Sequence, residues 1–543
     1  MPSGFLSVIL LLALVSLNVF CPGKASALAS NNIPLDSPVY LYLEKLASFG
    51  LVTSDMKGIR PFSRAEAARL VLEAEKRLQG GAAPPDNGLA AALVDELRRA
   101  LGREIHLQTE PDAPWFAVKP LSSLRTRYVY LEGAPRSYER PVFDPGGDGV
   151  FGIGAGLRPD YLPDHIVQQH GSEGTPLCEN NEGIAYRRGS NFEIRFSSEA
   201  FFGRGVSLLV EPALLYSERE GDLRGWLNKG YAKAGGQGLE LEIGRDANWL
   251  GLGYRGAITL TSNARNFDLI KLSSPEPVAI RYLGLLKYTL IFSRFDETTV
   301  DGQLRQPYFF ATKVSLKPTD NLELGLNLGR QVGGPGVNSG LGSTLRGFIG
   351  GTNSDNSNSL AGLELRVRFP FLRNAELYGE FSGEDSAAFW PIVESYVAGF
   401  YIPRLTAAGR DDLRFEYFLG NRILYANGTF PEGYLYHGMP IGDSQGGAAE
   451  EFFVRYGHWF SIRHRLALEY YHTERGNSGR VFVNGEQQAV ERKNSYRAFW
   501  TVPITGSMDL GFMYGWERVH NVELVGGVAR SNQLLKIDLS YLY

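Results

Sequence analysis

Cysteine is nearly absent. Of 543 residues two are cysteines, Cys21 and Cys178. That is too few for a disulfide framework, and with Cys21 inside a leader-like segment no bridge is expected. Neither sign of charge dominates, since 55 Lys and Arg face 59 Asp and Glu for a formal net of -4. Bulk charge therefore courts no polyanion, and nucleic acid is not an expected partner. Beyond the first twenty residues no apolar run approaches the ~18 residues that a membrane-spanning helix needs, which excludes a helical membrane protein. Histidine is scarce, at eight residues. Neither His165 with His170 nor His458 with His464 has the i, i+4 helical spacing or the cysteine partners of a zinc site, so no metal is expected.

Glycine and aromatic residues are plentiful: the chain has 64 glycines, and Phe, Tyr and Trp make up 12%. An apolar stretch from Phe5 to Phe20 precedes Pro22, Gly23 and the small-x-small run Ala25-Ser26-Ala27. This pattern predicts an export signal over residues 1–27, cleaved after Ala27 or Ala29.

A helical N-terminal domain is expected over 36–107. Tyr40, Leu43 and Leu46 share one helix face, Ser63-Arg64-Ala65-Glu66 reads as a capping box opening a run to Leu78, and Asp86 or Asn87 caps a third run ending near Leu101. The stretch Tyr42 to Leu72, with Phe49-Gly50-Leu51-Val52 and Pro61-Phe62, also resembles one S-layer-homology repeat. Such repeats bind cell-wall polymer, which adds a possible wall-tethering role for these helices.

Near Leu121 the apolar period changes from 3.6 to 2. Leu322, Leu324, Leu326 and Leu328 alternate with Glu323, Gly325, Asn327 and Gly329; Leu363, Leu365, Val367 and Phe369 alternate with Glu364, Arg366 and Arg368. Segments of about ten residues recur to the last run, Leu535 to the aromatic Tyr543. Short turns near Gly203, Gly235-Gly236, Pro318-Thr319-Asp320, Phe371-Leu372, Phe460-Ser461 and Pro503 to Gly506 alternate with longer polar stretches such as Gly133 to Gly189 and Asn421 to Ala449. Short periplasmic turns against long extracellular loops are the habit of outer-membrane barrels. The fold expected over 120–543 is therefore an all-β transmembrane barrel of about eighteen antiparallel strands. The helices lie at its periplasmic side, both termini are periplasmic and the loops are extracellular.

The stretch Gly244 to Val278 does not parse as plain strand, and it carries the strongest family signal. Leu241-Glu242-Ile243-Gly244-Arg245-Asp246-Ala247-Asn248-Trp249-Leu250-Gly251-Leu252-Gly253, then Leu260-Thr261-Ser262-Asn263-Ala264-Arg265-Asn266-Phe267 and Ser274-Pro275-Glu276-Pro277, resemble the signature of the capsule assembly Wzi family. Leu377-Tyr378-Gly379-Glu380, Gly383-Glu384-Asp385 and the His437 to Asp443 stretch fit as well. Leu250 stands where an aromatic is common and Leu252 where proline is common. The resemblance implies a monomeric outer-membrane barrel that acts as a lectin and retains capsular or extracellular polysaccharide, without catalysis or cofactor. Outer-membrane lipid and the barrel assembly machinery would be its other partners.

Sugar recognition pairs flat apolar faces with aromatic rings, and hydroxyls with planar bidentate groups. The candidate polysaccharide-binding residues are therefore Arg245, Asp246, Trp249, Tyr254, Asn263, Arg265, Tyr434, Tyr436 and His437. The same residue types also form interfacial girdles and brace inward loops. The rival function is a porin whose lumen, lined by Arg195, Arg366, Arg368 and Glu469, passes small solutes.

Enzyme-like patterns fail on context. Gly251-Leu252-Gly253-Tyr254-Arg255-Gly256 matches the dinucleotide fingerprint, but Ala257 to Thr261 continues as strand and opens no helix to hold a pyrophosphate. Gly442-Asp443-Ser444 lies in a glycine-rich loop with no recognisable Asp-His pair after it. Asp296, Asp301, Asp355 and Asn356 are residues of the type that chelates calcium in loops, but acidic loops are common and no calcium site is expected from them.

Overall fold

The computed structural model describes residues 28–543 except 82–87, 111, 145–164, 237, 301, 338–356, 385–392, 429, 477–481, 484–485 and 543. The expected export signal, the capping residues Asp86 and Asn87, and the acidic loop residues Asp301, Asp355 and Asn356 lie outside the described residues.

From Phe116–Glu132 to Ala529–Leu542 the strands form an antiparallel meander, each paired with its chain neighbour. The wall closes where Ser123 to Glu132 pair with Leu542 to Gln533. The short strand Val278–Ile280 prolongs Phe267–Ser273 against the same neighbour, so the barrel has eighteen strands.

The wall is polar inside and apolar outside. On Gly189–Phe202 the inward Asn191, Glu193 and Arg195 are 0%, 2% and 6% exposed, whereas Phe192, Ile194 and Phe196 are 48%, 47% and 41% exposed. Leu214 and Tyr216, Leu241 and Ile243, and Tyr496 and Trp500 repeat the pattern on other strands. A β-strand sends alternate side chains to opposite faces. A continuous outer belt of this kind is stable only against hydrocarbon, where each large apolar side chain keeps the ~1.5–3 kcal/mol that exposure to water would forfeit.

Among the described residues four helices precede the wall: α1 (Pro38–Ser48), α2 (Arg64–Gln79), α3 (Leu89–Ala100) and α4 (Gly102–Thr109). The sequence pattern showed three; α4 follows α3 after a single residue and continues the same apolar set through Leu101 and Ile105. Their core of Leu43, Leu46, Leu70, Leu93 and Leu97 also takes in Trp459 from the barrel rim. Only half of the capping box forms. Ser63 Oγ accepts from the Glu66 N–H at 3.0 Å, but the Glu66 carboxylate turns away to accept from Lys287 Nζ at 2.5 Å inside the barrel. The helix start is itself buried, and its Arg64 and Ala65 N–H groups donate to the Asn31 carbonyl and Ser30 Oγ, which frees the Glu66 carboxylate for the buried ammonium.

The N-terminal segment enters the lumen and plugs this end. The Asp55 carboxylate accepts from Arg366 Nη1 at 2.9 Å and from Arg368 Nη2 at 2.8 Å, while Lys317 Nζ donates to the Asp55 carbonyl at 2.9 Å. Burial raises the Asp55 pKa, but Arg366 and Arg368 outweigh it and hold the carboxyl well below the usual range. Lys45 Nζ donates to the Pro403 carbonyl at 2.7 Å, Glu44 pairs with Arg414, and the Gly58 N–H donates to Glu323. Further lumen charges are paired within the wall: Arg497 with Glu469, Lys313 with Glu364 and Lys233 with Glu240 from strand to strand, and Arg195 with Glu193 along one strand.

Candidate functional site

Opposite the helices the barrel has a mouth, and two segments descend from it into the lumen. The first, residues 247–266, joins the strands Leu239–Asp246 and Phe267–Ser273. Inside the barrel its Trp249 and Leu250 pair with Arg60 and Ile59 of the plug, and the Arg60 guanidinium lies 4.5 Å from the centre of the Trp249 ring. The plug and this loop therefore meet in one small ladder. The second segment, 421–448, is fastened to the first: Thr261 N donates to the Ile441 carbonyl at 2.7 Å, Asn263 Nδ2 to the Pro440 carbonyl at 3.0 Å and Tyr425 Oη to the Ile258 carbonyl at 2.6 Å.

The Gly251 to Gly256 run serves this packing. A Cβ on Gly253 would lie 1.8 Å from the Gly256 carbonyl oxygen, and one on Gly256 would lie 1.8 Å from Asp443 Oδ2. Its glycines admit close approach between loops, and no phosphate-binding helix follows. Asp443 is buried beside them; burial first, then Glu451, raises its pKa to about 8.

The nine candidate residues divide sharply. Arg245 and Asp246, adjacent in sequence, face opposite sides because the strand alternates. Arg245 points outward, its Nε and Nη2 donating to Asp268 at 2.7 and 2.8 Å, whereas Asp246 points inward and accepts from Asn32 of the plug at 2.7 Å. Trp249 is buried against Arg60, and Asn263 is spent on the Pro440 carbonyl. Tyr254 stacks on Phe453 at 6.0 Å with the Arg414 guanidinium 4.3 Å away. Tyr434 is buried, donating to the Gly329 and Asn358 carbonyls at 3.1 and 3.0 Å. These five brace the interior.

Arg245, Arg265, Tyr436 and His437 gather at the mouth. Tyr436 stacks on Phe267 with ring centres 4.2 Å apart, and the exposed His437 ring lies 4.5 Å beyond it. His437 Nδ1 is 3.5 Å from Asp296, and the exposed Arg265 acts on the same imidazole. Burial lowers the His437 pKa; Asp296 opposes this, and Arg265 and Arg245 add to it. Next to Asp296 a shallow recess of about 50 Å³ is lined by Phe295, Arg305, Gln331, Phe430 and Glu432. It has room for no more than a few water-sized groups, so an extended ligand would lie across it. Asp268, Asp296 as a partner of His437, and this recess were not legible in the sequence, because Asp296 and His437 stand 141 residues apart and Asp268 meets Arg245 only across adjacent strands.

With this architecture in view, the family model for capsule assembly protein Wzi matches residues 158–534. The chain belongs to the Wzi family. It is similar to the Escherichia coli Wzi structure, described as an outer membrane protein involved in group 1 capsule assembly and a carbohydrate-binding β-barrel, with a TM-score of 0.64, 15% identity, and coverage of 94% of this chain and 99% of that one. It is also 25% identical over 170 residues to an uncharacterised 55.8 kDa protein from the cps region of Klebsiella pneumoniae. That match covers 29% of this chain and spans a third of that relative, 33% of its length. As a Wzi-family member the chain is an outer-membrane β-barrel, and the plug, the inward loops and the wall together form a filled version of that fold.

Proposed function

We propose that this protein binds capsular or extracellular polysaccharide at its mouth and retains it during capsule assembly, performing no chemistry on it. The observation that carries the reading is the filled lumen of a Wzi-family barrel. Plug and loops meet at Ile59–Arg60 and Trp249–Leu250, so the polar surface left for a partner is the mouth, where aromatic, guanidinium and carboxylate groups stand together. Such a mixture suits a sugar face and its hydroxyls. In this reading the mouth faces outward and the helices and both termini face the periplasm. The outer belt contacts lipid, the barrel assembly machinery inserts the chain, and the protein acts as a monomer.

The test is binding of the detergent-purified protein to the surface polysaccharide of its own organism, beside the double variant Arg265→Ala/His437→Ala. Saturable binding that weakens about tenfold in the variant supports the reading. Absent binding together with ion conductance in a planar bilayer would move the protein to the porin class. Co-sedimentation of the full chain with purified cell wall would instead assign the helices a tethering role.

A further inference from the structure

A hairpin, Ser137–Asp144 with His165–Ser172, packs on the 421–448 segment at the mouth, and beneath it lies a set of charges that does not balance. Its inner face presents Tyr138, Arg140 and Gln169, all buried. Gly446 and Gly447 of the 421–448 segment let it settle, since a Cβ there would meet Tyr138 Oη at 2.6 Å and Gln169 Nε2 at 2.4 Å. Three guanidinium groups, Arg136, Arg140 and Arg475, converge on two carboxylates, Glu173 and Glu491. Arg136 takes Glu491 through both terminal nitrogens at 3.0 Å and also pairs with Glu173. Arg475 pairs with Glu173, lies 3.4 Å from Glu491 and donates to Gln445 Oε1 at 2.6 Å.

Arg140 is left over. It is 1% exposed, stands 3.9 Å from the nearest oxygen of Glu173, and among the described residues none of its three guanidinium nitrogens has a hydrogen-bond partner. Its plane rests on the Tyr138 ring, 3.9 Å from the centroid, which occupies the face of the guanidinium and leaves the N–H edges free. Burial lowers its pKa. The neighbouring Lys493 adds a further cation at the same Gln445 oxygen, 3.5 Å away. The carboxylates that act on Lys493 are engaged elsewhere: Glu179 by Arg255 and Arg497, Glu451 by Arg255 and Thr473, Glu517 by Asn532 and Ser495. Glu523, which also acts on Arg140, is exposed. A buried guanidinium without an acceptor is a costly arrangement unless a counter-ion completes it.

We infer that Arg140, with Arg136 and Arg475 beside it, forms an anion-binding site beneath the mouth hairpin for a carboxylate-class oxyanion. The planar fork with free edges matches two coplanar oxygens. The oxyanion comes either free from solution or as the carboxylate of an acidic sugar; only the second source rests on the function proposed above.

The test is thermal unfolding of the full chain in detergent, titrated with sodium acetate or sodium glucuronate against sodium chloride at equal ionic strength. The expected result is a saturable rise of about 2 °C or more with either carboxylate, because an anion that binds only the folded state stabilises it. The rise should be absent in Arg140→Gln and reduced in Arg140→Lys, which keeps the charge without the fork and serves as the comparison if R140Q does not fold. Equal rises in wild type and both variants overturn the site, and so does a chloride effect equal to that of acetate. For the second source, polysaccharide with its carboxyl groups reduced to alcohols is compared with the native polymer. Wild type should prefer the native polymer and R140Q should not. An Arg140-dependent acetate effect without any polysaccharide binding would remove the function proposed above while leaving the anion site standing.

Discussion

The helical end of the lumen and the mouth both hold buried charges and treat them differently. Around Asp55 every cation has an acceptor: Arg366 reaches Asp55, Glu323 and Glu376, Arg368 reaches Asp55 and Glu376, and Lys57 joins Glu44 and Glu376. At the mouth Arg140 has no hydrogen-bond acceptor among the described residues, while Arg265 and His437 are exposed. Balanced charge locks one segment into a fixed place, because removing either partner strands a buried ion. Unbalanced or exposed charge is capacity left for something else. The helical end is built as a closure and the mouth as a surface that receives.

Removing the closure should give the largest effect. Deleting the N-terminal segment through Leu107 is expected to raise bilayer conductance severalfold, and unchanged conductance would show that the mouth segments alone seal the lumen. Asp55→Ala should follow, since it removes a carboxylate shared by Arg366, Arg368 and Lys317 and leaves their positive charge under-compensated; a loss of about 3–5 kcal/mol, the usual result of breaking a buried pair, should appear as a lower unfolding temperature and intermittent current. Trp249→Ala should cost about 3–5 kcal/mol by emptying the contact with Arg60. Any loss of polysaccharide affinity it causes should be no greater than its loss of folded protein. By contrast, Arg265→Ala/His437→Ala should lower affinity while leaving the unfolding temperature within a degree or two, which separates the receiving surface from the bracing one.

A further prediction concerns pH. Asp443 has its pKa raised by burial and by Glu451 to about 8, against an ordinary value of 3.8. The folded state thus keeps a proton that the unfolded chain has released, so this group's contribution is fully present below pH 4 and is lost as pH rises towards 8. Asp443→Asn should flatten that fall in unfolding temperature between pH 4 and 8; an unchanged profile would show that Asp443 is ionised in the fold.

Much of this was legible in the sequence. Period-2 alternation, as in Leu322 to Gly329, fixes strands with one apolar and one polar face, and the alternation of short and long connections orders them into a meander. The Gly-Arg-Asp to Asn-Ala-Arg spacing pointed to the family that the profile match then showed. The candidate residues were less legible. Arg245 and Asp246 look like one bidentate group in sequence and lie on opposite faces of the wall, and Tyr434 and Tyr436, two residues apart, differ in that one is sunk among backbone carbonyls while the other stacks below the exposed His437. Nothing local in the chain marks Asp55 as the partner of residues more than three hundred positions away.

By itself, then, the sequence determined the class of fold, the strand order and the wall that meets lipid, because these follow from local periodicity and from the need of every strand in a bilayer to find its neighbour. Only the tertiary structure decided which charges are paired and which are spare. Pairing inside the lumen joins the plug at Asn32 to Glu66 with strands and loops far along the chain, and a charge is satisfied or stranded according to distance in space, which no spacing in sequence records.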